Sequence, residues 1–507
     1  MVVFEWVVAL LLGALVLAAL ARRLGIPYPT LLALGGAALA LVPGTPQLRL
    51  DPQLALALFV APVLLDAAFD SSPRDLRAHG ATVAGLVVAA VGVTVVAVAL
   101  VAHTLLPSLP WPAAIALGAI VAPPDAAAAM AVLRQVRPPH RILTILEGES
   151  LLNDATALVV YRMAVDAALD DHADLGMGLA GGALGIAASL VLGPLVAWLA
   201  SAVHLRIEDV ATSIIAQFVT TFAVWMLAER LHLSAVLTIV SYAIAIGRWS
   251  PARMPARLRV PSFAVWDTAI FLLNVLAFVL VGLQVGPIVE RLDPTKHDAH
   301  LLFASAVVVT VIVARFAWVM GYDTLLRARA RRASAQAANA TAPMSVRGDV
   351  LVSWCGMRGI VTLAAALALP PRFPERDLLV LTAFAVVLGT LVLQGLTLPW
   401  LLRTLHLRDD DPVGREVHEA RSAAYRAALT ALDGDESSAS HALRLELHDA
   451  LRHLELATDR ATPVAALRRR AAQAAREKVL ALRSEGVIGD AAFQRVEEEL
   501  DAIELTT

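Results

Sequence analysis

The chain has 507 residues and almost no lysine or cysteine. Its lysines are Lys296 and Lys478, and its one cysteine is Cys355. A single cysteine set in an apolar run excludes an internal disulfide and a cysteine-built metal cluster. No cofactor is expected. Basic residues are also missing ahead of the first apolar run, Phe4 to Leu20, whereas Arg22 and Arg23 follow it. That order is the reverse of a cleavable signal peptide and predicts a first membrane span with its N-terminus outside. The net charge of −3 gives no sign of a nucleic-acid partner, and none is expected.

What the chain has in abundance is apolar sequence: 58% of its residues are hydrophobic and its mean hydropathy is +0.70. About 20 apolar residues cross a bilayer as a helix. Thirteen candidate spans follow one another, at 4–21, 27–43, 53–69, 80–106, 111–133, 142–168, 176–203, 210–228, 232–247, 263–288, 300–326, 349–370 and 378–402. Loops after odd-numbered spans hold seventeen arginines, among them Arg248, Arg253, Arg257 and Arg259; the opposite loops hold six basic residues. Positive charge stays on the cytoplasmic side, so the tail is predicted inside. The reading is an all-α polytopic protein of the plasma (inner) membrane, with a transmembrane domain at 1–406.

Residues 407–507 are charged and alanine-rich, and form a helical cytoplasmic tail. Leu443, Leu447, Leu451 and Leu454 repeat at helical spacing, as do Phe493, Val496, Leu500 and Ile503. The Ala-, Ser- and Arg-rich stretch 330–348 reads as a flexible loop. Gly176, Gly178 and Gly181 satisfy a GxGxxG pattern, but they open a membrane span and serve helix packing rather than a dinucleotide.

Ionisable groups inside the spans are costly, at least about 2.5–3.5 kcal/mol each on insertion scales, and are functional candidates for that reason. Span 3 carries Asp66, span 5 carries Asp125 after Pro123 and Pro124, span 11 carries Arg315 and span 12 carries Arg358. Span 6 carries the stretch EGESLLNDATALVVYR, residues 147–162. Four-residue spacing places Glu149 and Asn153 on one helical face and Ser150 and Asp154 on the adjacent one. Glu149 suits pairing with a cation and Asp154 suits holding one. Arg358 reads as a structural charge partner, and Arg315 as compensation for nearby charge or helix ends. Asp66 either joins the site or lies at the cytoplasmic interface. Asp125 caps a half-helix and can line the site as well.

Consecutive prolines break span 5, and Gly356 and Gly359 flank Arg358 in span 12. Counted around span 7 as a linker, both are the fifth of six. Interrupted helices at matching places in two halves point to an inverted-repeat transporter whose loose backbone groups bind ions.

These stretches together resemble the sodium/proton exchanger family of the cation/proton antiporter superfamily. GESLLNDATALVVYR is similar to its span-6 motif, WCGMRGIVTLAAALALP to span 12, VAPVLLDAAF to span 3 and WDTAIFLLNVLAFVLVGLQV to span 10. The resemblance implies thirteen spans with crossed, discontinuous spans 5 and 12. It also implies an elevator-like core of spans 4–6 and 11–13 and a homodimer through spans 1–3 and 8–10. It makes Asp154 the carboxylate that takes a monovalent cation or a proton. Asn153 becomes the neutral neighbour that marks an electroneutral branch, Ser150 a lining group, and Asp66 a guard or member of the site. Glu149 and Arg358 become a buried ion pair. One departure concerns span 5, where the family often has Thr-Asp-Pro and this chain has Pro124, Asp125 and Ala126.

The expected activity is electroneutral exchange of sodium for protons, serving pH homeostasis. A potassium/proton antiporter of the same mechanism is an alternative. A passive channel and an intramembrane aspartyl protease are more remote. Tyr322-Asp323 gives half of a protease signature, but the GVIGD sequence at 486–490 lies in the tail.

Overall fold

The computed structural model describes residues 2–42, 51–70, 80–125, 128–131, 133, 138–169, 175–249, 254–290, 294–330, 345–407, 412–434, 437–455, 463–485 and 496. Among these residues the structure is all-helical. The elements that position the site are α1 (Val2–Leu24), α2 (Tyr28–Ala40), α3 (Pro52–Ala55), α4 (Ala61–Asp70), α5 (Gly80–Leu105), α6 (Trp111–Val121), α7 (His140–Leu169), α8 (Leu175–His204), α9 (Val210–Arg230), α10 (Ala235–Trp249) and α11 (Ala256–Leu283). After the short α12 (Val285–Val289) come α13 (His297–Ala330), α14 (Val346–Trp354), α15 (Ile360–Leu367) and α16 (Arg376–Leu405). Leu56–Val60, between α3 and α4, forms a π-helical turn.

Among the described residues each apolar run overlaps helix, with 111–133 and 349–370 interrupted part-way. Among the described residues, six segments are long and apolar enough to cross a membrane: Pro52–Phe69, Leu184–His204, Val210–Arg230, Ala256–Val289, His297–Ala328 and Arg376–Leu405. The sequence also sets where helices begin. Asp51, Asp209 and Ser345 cap the starts of α3, α9 and α14 by accepting from Leu54, Thr212 and Gly348 backbone N–H groups at 2.9, 2.8 and 3.1 Å. The backbone and hydroxyl donors of Thr212 hold the Asp209 carboxyl below the usual carboxylate range. Prolines lie at the first turns of α2 and α6, where a missing N–H costs nothing.

Lipid offers no hydrophobic drive between helices, so close packing relies on small residues. A Cβ on Gly36 of α2 would stand 2.3 Å from the Val279 carbonyl oxygen, and one on Gly282 of α11 would stand 2.2 Å from that of Ala33. Gly193 of α8 meets Ser241 of α10 in the same way, its added Cβ falling 2.0 Å from the hydroxyl. One buried apolar cluster joins residues of α2, α5, α6, α7, α13 and α16, and a second joins α4, α8, α9 and α10.

Residues 1–409 form one compact unit and 410–507 another. The second holds Pro412–Ala431, Ser438–Glu455 and Pro463–Ser484 as helices. Leu447, Leu451 and Leu454 are half-buried there, whereas Leu443 is exposed. Of the second tail stripe, Phe493, Leu500 and Ile503 lie outside the described residues, as does most of the 330–348 loop. Gly176, Gly178 and Gly181 fall inside the helix α8, with no strand before them among the described residues.

Candidate ion site between two broken helices

Helix α7 runs unbroken for 30 residues and carries Glu149, Asn153 and Asp154, all buried. Two neighbouring spans are interrupted. Helix α6 stops at Val121, directly before Ala122 and the two prolines. Span 12 is split into α14 and α15 by residues 355–359. The interruptions meet, since the Asp125 backbone N–H donates to the Met357 carbonyl at 2.7 Å. The Asp125 carboxylate lies so close to Gly359 that a Cβ there would fall 1.6 Å from Oδ2. A side chain at 359 has no room, and this is why glycine stands there.

The two polar faces of α7 have different surroundings. Ser150 and Asp154 line a cavity of about 290 Å³ that Asp66 and Asp125 also line. The sequence-derived ion-site residues Asp154, Ser150, Asp125 and Asp66 thus share one space, whose lining also includes the apolar Phe59, Val63 and Ile270. On the other face, Glu149 is gripped by a guanidinium through two bonds, Nη1 to Oε1 at 2.6 Å and Nη2 to Oε2 at 2.9 Å. That guanidinium belongs to Arg315 of α13. The Asn153 amide donates to Glu149 Oε1 at 3.2 Å, which links the residue beside Asp154 to the ion pair.

The expected Glu149–Arg358 pair is therefore corrected: Arg315 is the partner. The reason is positional. Arg358 sits in the span-12 break, within reach of the terminal carbonyls of α6, and donates from Nε to Val121 O at 3.0 Å and from Nη2 to Ala122 O at 3.2 Å. Its Nη1 donates to the Gly356 carbonyl, past the end of α14. Helix C-termini leave carbonyls without partners and carry partial negative charge. One buried cation satisfies two of them. The helix-end role expected of Arg315 thus falls to Arg358, and the ion pair expected of Arg358 falls to Arg315.

Four polar lining residues escaped the sequence reading: Tyr28, Glu147, Asn274 and Thr362. Glu147 precedes Ser150 by three residues and Asp154 by seven, a helical stripe that was legible. Asn274 and Thr362 reach the cavity from α11 and α15, which only the tertiary structure reveals. Asp323 lies apart from this cavity, in a cluster where Arg327 pairs with it at 2.6 Å and also with Asp349. It does not face Asp154, as a second catalytic aspartate of a protease would. Among the described residues no three His, Cys, Asp or Glu side chains are grouped to hold a metal ion.

The family model described as sodium/hydrogen exchanger, transmembrane, matches residues 7–404. The chain belongs to the sodium/hydrogen exchanger family. Family membership makes it a multi-pass membrane transporter of cations and protons rather than an enzyme. An uncharacterized Na(+)/H(+) exchanger of Mycobacterium tuberculosis is 32% identical over 442 residues, covering 84% of this chain and 79% of the relative. The sodium, potassium, lithium and rubidium/H(+) antiporter of Bacillus pumilus is 29% identical, covering 80% of this chain and 62% of its own length. The solved sodium proton antiporter MjNhaP1 of Methanocaldococcus jannaschii shares the fold, with a TM-score of 0.60 at 18% identity, over 80% of this exchanger and 99% of that chain.

Proposed function

We propose that this exchanger moves one monovalent cation, sodium by preference, against one proton, with both competing for Asp154. The observation that carries the reading is a buried carboxylate with Ser150 beside it, in a cavity bounded by two broken helices. A bare ionised carboxylate is expensive to bury. Either a proton or a dehydrated cation removes that cost, the cation needing further oxygens from Ser150, water and loose carbonyls. Only an occupied, neutralised site then crosses the barrier, and exchange is obligatory.

Asn153 adds no charge, Glu149 is paired with Arg315, and Arg358 stays protonated as arginines in proteins do. With Asp154 as the one group that changes charge, the two loaded states carry the same charge and transport is electroneutral. Asp66 and Asp125 border the path to it. Thirteen spans, an outside N-terminus, residues 407–507 in the cytoplasm, a homodimer through spans 1–3 and 8–10, elevator motion of spans 4–6 and 11–13, and residence in the plasma membrane belong to the same reading. The arginine bias of the loops and the likeness to MjNhaP1 support it. A broader cation range that includes potassium is the second reading, favoured by the likeness to the Bacillus pumilus antiporter.

The test is proton flux in proteoliposomes on addition of sodium, then potassium. Asp154→Asn is expected to fold and to lose exchange entirely. Cation-driven flux that survives this substitution refutes the mechanism.

A further inference from the structure

A second hydroxyl residue lines the cavity, carried by α15 where Ser150 is carried by α7. Thr362 of α15 lines it, is only 1% exposed, and its Oγ1 has no hydrogen-bond partner. A buried hydroxyl left unpaired costs about 1–3 kcal/mol and calls for an explanation.

Other threonines in this protein show how such a hydroxyl is normally satisfied. Thr94, Thr221, Thr382 and Thr390 each donate to the carbonyl four residues back, at 2.8, 2.8, 2.7 and 2.7 Å. Thr362 has no such option. Its helix starts at Ile360 with Gly359 as N-cap, so the residue four back, Arg358, lies in the break and not in a helical turn. Threonine is the third residue of α15, where a helix has no turn beneath it. The break between α14 and α15 thus frees this oxygen and leaves it at the cavity.

The facing interruption has nothing equivalent. Residues 122–125 read Ala-Pro-Pro-Asp, with no hydroxyl among them. A dehydrated monovalent cation at Asp154 needs neutral oxygens from more than one side, and the lone pairs of an unpaired hydroxyl are suited to it.

We propose that Thr362 is a direct oxygen ligand of the transported cation, closing with Asp154 and Ser150 a shell that spans α7 and α15. The inference rests on Asp154 being the exchange site and adds the residue that sets affinity for the cation. Because the proton needs no such shell, the hydroxyl favours cation over proton in their competition.

The test compares wild type, Thr362→Val and Thr362→Ser in proteoliposomes, by titrating sodium chloride and potassium chloride against proton flux. Valine keeps the shape and removes the oxygen. It is expected to raise the apparent KM for sodium about tenfold, the worth of one modest interaction with a charged partner, while the flux at saturating sodium changes less than twofold. Serine is expected to stay within twofold of wild type in both. An unchanged KM in the valine protein overturns the proposal, and so does a serine protein as impaired as the valine one. Should valine fail to fold, Thr362→Ala replaces it: a raised KM with alanine and not with serine supports the ligand role, and equal KM values in the two overturn it. Wild type without cation-driven flux, or flux that persists in Asp154→Asn, would instead sink the parent reading.

Discussion

The Glu149–Arg315 pair gives a quantitative expectation that separates it from the pair the sequence suggested. Both side chains are at most 4% exposed and exchange two short bonds. Water screens them little, so each charge-assisted bond contributes on the order of 1.5–3 kcal/mol. Removing one partner strands the other charge among apolar groups, and Arg315→Gln is expected to lower stability by about 3–5 kcal/mol. After that change Glu149 retains only the Asn153 amide among the bonds described. Arg358→Gln is also destabilising, because the Val121 and Ala122 carbonyls lose their donor. Single variants therefore do not discriminate; a double-mutant cycle does. Glu149→Gln with Arg315→Gln is expected to show a coupling of at least about 2 kcal/mol, since the double variant leaves two neutral amides facing each other. Glu149→Gln with Arg358→Gln is expected to show less than half that coupling, since no hydrogen bond joins the two side chains. The assay is reversible denaturant unfolding of all variants in one detergent, because an irreversible thermal transition yields a rate and not a free energy. Coupling to Arg358 that equals coupling to Arg315 would refute the reasoning.

Three further outcomes are expected. Gly359→Ala drives a methyl group into the Asp125 carboxylate; the breaks must separate, and exchange should fall by at least tenfold in reconstituted vesicles even where the protein is monodisperse. Gly282→Ala forces α11 away from the Ala33 carbonyl of α2, a backbone clash that should cost about 1–3 kcal/mol and lower the thermal midpoint, while the equally helical Gly321, with open space around it, should accept alanine with no loss. Sodium-driven proton flux in vesicles clamped with potassium and valinomycin should not vary with voltage, since a potential worth about 2.3 kcal/mol per charge per 100 mV finds no net charge to move; sustained current on a solid-supported membrane would instead mean that a second group such as Asp66, Asp125 or Glu147 titrates.

Local features of the chain were legible because local rules govern them. The apolar runs overlap helices, since helical hydrogen bonds close within a few residues. Pro123-Pro124 and Gly356–Gly359 foretold the two interruptions, because missing donors and absent side chains act where they stand. Four-residue spacing foretold that Ser150 and Asp154 would share a face and that Glu149 and Asn153 would share another. Which arginine grips Glu149 was not legible. Arg315 lies 166 positions away, and two buried arginines were available to one carboxylate. Only the packing of α13 and the reach of Arg358 to α6 decide between them. Thr362 was hidden for a related reason: a threonine in an apolar helix ordinarily bonds to its own backbone. Its availability depends on a helix starting two residues earlier, a boundary that sequence places poorly.

A single guanidinium that grips both interrupted helices has a mechanical consequence. Arg358 bonds to carbonyls at the end of α6 and in the break after α14, while Asp125 ties its own backbone to Met357. Prising the two breaks apart would strip several carbonyls of their donors and strand a buried cation. Phe59, Val63, Leu64, Ile270 and Phe278 also line the cavity, and they hold it by dispersion contacts alone, each weak and without direction. The seam between the broken helices is thus a pinned joint, far costlier to open than the apolar contacts around it.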